Sequence, residues 1–68
     1  MDEVWRSIAP AQVVEHSRVL SFARGTLAVR VADEGVRFHA DRWLRAGGLR
    51  ELTTAAPATL ARVRFVLA

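Results

Sequence analysis

Sixty-eight residues allow one domain, and a chain this short buries only about 60% of the surface its unfolded form exposes. With no cysteine there is neither a disulfide nor a thiolate metal site, so stability rests on tight packing, self-association or a partner. Every basic residue is arginine, the formal charge is +3, and no apolar run approaches the ~20 residues of a membrane span.

The chain opens Met1-Asp2-Glu3, acidic where a signal peptide is basic, so the expected location is the cytoplasm. Asp2 to Ala9 forms a short helix, with Val4, Trp5, Ile8 and Ala9 on one face. Asp2 and Glu3 suit its positive N-terminus. Pro10 breaks the pattern, and a second turn of helix, Ala11 to Glu15, starts behind it.

His16 to Val31 reads as a β-hairpin turning at Arg24-Gly25, with Gly25 supplying the positive φ of a tight turn. Leu27, Val29 and Val31 point one way; Thr26, Ala28, Arg30 and Ala32 point the other. In the first strand Leu20 and Phe22 are the expected inward pair, with Val19 leaving the register open. Asp33 caps a helix running to about Ala46, whose inner face holds Val36, Ala40, Trp43, Leu44 and Gly47. Gly47-Gly48 ends it. Leu49 to Ala56 is a second short helix with Leu49 and Leu52 inward, stopped by Pro57. Thr59 to Leu67 closes the chain as a third strand, with Val63, Phe65 and Leu67 inward and Arg62, Arg64 and Val66 outward.

These elements specify an α+β fold: a three-stranded sheet with helices on one face. The other face then shows Arg30, Arg62 and Arg64, with Arg18 and Arg24 in the hairpin's first strand and turn. Clustered guanidinium forks of this kind suit phosphate contact. Phe38 is the odd aromatic. It lies near 200° from Val36 on the helix, beside Arg42 and Arg45, where no core residue belongs. An aromatic flanked by arginine is the composition of a partner-binding hot spot.

Catalytic constellations have little support. Ser17 adjoins His16, but neighbours on a strand point to opposite faces. Ser7 and Ser21 have no evident base, so no catalytic residue is assigned. His16 and His39 lack ligand spacing, and no metal or other cofactor is expected.

The helix–strand–strand–helix–helix–strand order is that of the second kind of K-homology (KH) domain. Trp5 and Ile8 before Pro10, then His16-Ser17-Arg18, then Gly25-Thr26-Leu27-Ala28-Val29-Arg30-Val31 and a closing Val63-Arg64-Phe65 resemble the bacterial DciA family. Pro10 stands where that family often has glycine, and Val36 where an aromatic is frequent. The resemblance covers nearly the whole chain. It implies a KH-like domain that binds DNA and assists loading or operation of a DnaB-type replicative helicase. A KH loop needs Gly-x-x-Gly, whereas the corresponding turn here is Ala46-Gly47-Gly48-Leu49, so KH-type single-strand readout is not expected. The alternative reading is a small dimeric interaction domain with no nucleic-acid role.

Overall fold

A computed structural model describes residues 1–68, the whole chain. The elements run α1 (Asp2–Ile8), α2 (Ala11–Glu15), β1 (Ser17–Ala23), β2 (Thr26–Val31), α3 (Glu34–Trp43), α4 (Leu49–Ala55) and β3 (Arg62–Leu67). The fold is α+β, a three-stranded sheet with helices packed on it. The strand order is β1-β2-β3. β1 and β2 pair antiparallel through the hairpin, whereas β2 and β3 pair parallel. A parallel pair cannot be joined by a tight turn, and residues 32–61 supply the crossover through α3 and α4.

The hairpin turn has positive φ at both central residues, Arg24 (53°) and Gly25 (78°). That is the type I′ geometry, whose twist matches the flanking strands. The Gly25 carbonyl accepts from the Ala61 and Arg62 N–H groups at 2.7 and 3.0 Å. These bonds tie the turn to the start of β3. They also shorten the expected third strand: residues 59–61 stay outside the ladder, although Leu60 is buried.

The central strand carries the core. Leu27, Val29 and Val31 are fully buried beneath the helices, joined by Trp5, Val13, Ala40, Leu52 and Leu60. Ala28 points to the opposite face and is nonetheless buried, because a small side chain on a middle strand is covered by its flanking partners, Ser21 and Arg64.

Sequence alternation misplaces one residue of β1. Leu20 is not inward; it is 43% exposed. The register slips between Val19 and Ser21, leaving Leu20 as the unpaired residue of a β-bulge. A bulge resets strand phase, so Val19 and Phe22, three apart, both face the helices opposite Val29 and Leu27. Leu67 shares the register of buried Val31, yet it is 46% exposed and lies outside the core cluster.

An aromatic chain joins the layers. The Trp5 ring meets Trp43 edge-to-face at 5.8 Å and Phe65 at 6.4 Å. Its indole N–H, buried with the ring, donates to Ser17 Oγ at 3.0 Å. Asp33 caps α3 as expected, accepting from the Val36 N–H at 2.9 Å. Helical angles continue past Trp43 into Leu44, and the helical path breaks at Gly47, which kinks the chain between α3 and α4. Gly47 there has φ 121° and is exposed rather than inward. Gly48 is the buried member; a Cβ on it would sit 2.5 Å from the Trp43 ring.

Candidate nucleic-acid interface

Register places the arginines of the strands. Arg18 pairs directly across from Arg30, Arg62 across from Thr26, and Arg64 across from Ala28. All four are exposed on the face that carries no helix, and Arg24 projects from the turn at the Arg62 end. Paired residues share a face. Arg18 and Arg62 therefore stand at diagonal corners, with Arg30 and Arg64 between them. Strand spacings put successive members of this stripe about 5–8 Å apart at Cα.

Charge is segregated between the two sides of the molecule. The strands and their turn hold five arginines and no carboxylate; the rest holds five arginines and all seven carboxylates. The two portions thus carry +5 and −2. Ion pairs follow the same division. Arg6–Asp2, Arg37–Glu34 and Arg45–Asp41 close at 3.1–3.2 Å, each within one helical segment. Arg18, Arg24, Arg30, Arg62 and Arg64 form none. Glu15 borders the Arg18 end of the stripe, lining a shallow hollow with Arg18 and Arg30, without bonding to either.

Two features of this face cost stability. Like charges directly opposite on neighbouring strands, as Arg18 and Arg30 are, repel one another. Arg24 occupies a left-handed conformation that non-glycine side chains rarely adopt. Both costs fall on exposed arginines, and a bound polyanion offsets the repulsion.

Phe38 is 62% exposed on the outer side of α3. Its surroundings differ from the arginine ring the sequence suggests. The Glu34–Arg37 and Asp41–Arg45 ion pairs flank it, and of its expected neighbours only Arg42 is unpaired. His39 stacks edge-on at 5.9 Å.

The histidines, far apart in sequence, come to one hollow of about 340 Å³ between α2 and α3, together with Asp33. No three His, Cys, Asp or Glu side chains are arranged to hold a metal ion. Ser17 serves the Trp5 indole and has no histidine partner. Two site residues escaped sequence reasoning. Leu20 joins the arginine face through a bulge that alternation does not show. Glu15 reaches the rim because α2 ends where β1 begins. No helix is long and apolar enough to cross a membrane.

Comparison with models of known protein families finds no match, and comparison with curated proteins finds none either.

Proposed function

We propose that the chain is a KH-like, non-enzymatic accessory of DNA replication, a cytoplasmic adaptor of the DciA type. It holds DNA on the open face of its sheet and assists loading or operation of a DnaB-type replicative helicase. One observation carries the DNA-binding part: five arginines on the strands and their turn, with no carboxylate among them and no ion pair to any. Unpaired guanidinium groups retain their donors for phosphate oxygens. The helicase part is supported by the resemblance of Trp5, His16-Ser17 and the Gly25–Val31 strand to that family.

The test is a binding titration on labelled DNA at low and raised salt. Binding is expected at low salt and falls as salt rises, because counterions are released from the phosphates. Replacing Arg30, Arg62 and Arg64 together by alanine should weaken it on the order of tenfold or more and flatten the salt dependence by roughly three units of slope. Undiminished binding by the triple variant would sink the assignment. Capture of the cognate replicative helicase by the intact chain tests the second part.

A second reading is favoured by exposed Phe38: a protein-interaction domain, dimeric or heteromeric, that docks through α3 with Phe38, Arg42 and Arg45 at its centre. The two readings use opposite sides of the molecule, so both surfaces can operate in one adaptor.

A further inference from the structure

We infer that the arginine face takes the sugar–phosphate backbone of duplex DNA in preference to single strands. This rests on the DNA-binding reading above and adds the form of the ligand. Proteins that hold single strands without sequence preference combine a basic groove with aromatic side chains on which bases stack, and that stacking contributes about 1–3 kcal/mol per base. Here the register removes every aromatic from the basic face. Phe22 and Phe65 pair with Leu27 and Val29 and so lie on the helix side. Trp5 and Trp43 pack against each other and the core. Phe38 stands on α3.

Between its arginines the open face instead offers the small side chains Ser21, Ala23, Thr26 and Ala28, with the aliphatic Leu20 and Val66 on its two outer strands. None of these side chains gives a base an aromatic ring to stack on. Affinity then follows the density of phosphates, which is one per ~1.7 Å along a duplex axis and half that along one of its strands. The stripe crosses the sheet obliquely from Arg18 through Arg30 and Arg64 to Arg62, and Arg24 extends that last corner. Arg18 and Arg30 stand side by side across two strands and Arg64 and Arg62 along the third, so the four cations form one bent diagonal band that follows one run of backbone, and the second DNA strand adds its field without a contact of its own.

The experiment compares the intact chain on three labelled probes: a mixed-sequence duplex of about 20 base pairs, one of its strands, and a single strand of about 40 nucleotides matched in phosphate number. Anisotropy is read at several salt concentrations between about 50 and 200 mM. The duplex should bind at least about threefold tighter than the matched single strand, with log–log salt slopes of about −3.6 and −2.8 for four phosphates. Removing the stripe's two ends, Arg18→Ala with Arg62→Ala, should reduce the duplex slope by roughly two. Arg50→Ala on α4 should leave it unchanged. Both arginines of the double variant are exposed, and near-ultraviolet circular dichroism checks that the core is intact. Equal or tighter binding of the single strand would overturn the inference while leaving the DNA-binding reading in place. Binding of no probe at low salt would overturn both.

Discussion

At the scale of single residues, Gly48 and Trp43 illustrate how a glycine can be required by a neighbour rather than by its own backbone. Gly48 has ordinary helical angles, φ −61° and ψ −37°. What excludes a side chain is the Trp43 ring, which lies across its Cα and in turn packs on Trp5. Gly48→Ala should therefore cost about 1–3 kcal/mol through overpacking. In a Trp43→Leu background the same change should cost distinctly less, because the obstructing ring is gone. Chemical denaturation of the four proteins of this cycle measures the coupling. Equal costs in both backgrounds would show that the ring is not the cause. Gly47 is the contrasting case. A Cβ there meets nothing within 4 Å, but φ of 121° suits glycine alone.

At the scale of elements, the hairpin joins stability to function. Arg24 holds a left-handed position for which asparagine or glycine is better suited. Arg24→Asn should stabilise the domain by about 0.5–1 kcal/mol while weakening DNA binding. Thermal melts and a binding titration on the same preparation read both effects. A variant less stable than the parent would contradict the strain argument, and one with unchanged affinity would remove Arg24 from the interface.

The buried half of the hairpin makes a separate prediction. Leu27 is fully buried at the centre of the sheet, so Leu27→Ala should cost about 2–5 kcal/mol, a large part of the stability of so small a domain. A parent-like melting curve would show that the central strand is not the core.

How much of this was legible in the sequence varies by element. β2 was readable throughout because strict alternation marks a strand with one buried face, and Asp33 was readable as a cap because its spacing to Val36 is local. The phase of β1 was not, since a single bulged residue inverts everything beyond it and leaves no compositional mark. The end of β3 misled in another way: Leu67 keeps the inward parity, but parity fixes the face and says nothing of whether a helix covers it. For the candidate site, the outward places of Arg30, Arg62 and Arg64 followed from parity alone, whereas Arg18 shares the parity of the expected inward pair Leu20 and Phe22 and reaches the open face only because of the bulge. The arginines' segregation from the carboxylates and the Arg18–Arg30 juxtaposition needed the strand register, and the meeting of His16 with His39 needed the packing of α2 on α3.

At the scale of the whole molecule, two surfaces remain distinct. One is the arginine face of the sheet; the other is the outer side of α3 around Phe38. A phenyl ring 62% exposed in the folded chain contributes little to folding, so Phe38→Ala should leave the stability of the monomer within about 0.5 kcal/mol of the parent. If it is a hot spot, the same variant should weaken association with a second copy or a protein partner by about 1–3 kcal/mol. Sedimentation measures self-association, and dilute-solution melting measures the monomer. Strong destabilisation of the monomer would place Phe38 in the core and contradict the helix phase.

The central claim is that DNA lies on the open sheet face, and amide chemical-shift mapping of the labelled chain titrated with duplex DNA at low salt tests it most directly. The account predicts that the largest shifts fall on β1, the Arg24-Gly25 turn, β2 and β3, with Arg18, Arg30, Arg62 and Arg64 among them, and that α3 around Phe38 and α4 stay still. Shifts concentrated on α3, or spread evenly over the molecule with the strand arginines unmoved, would contradict it.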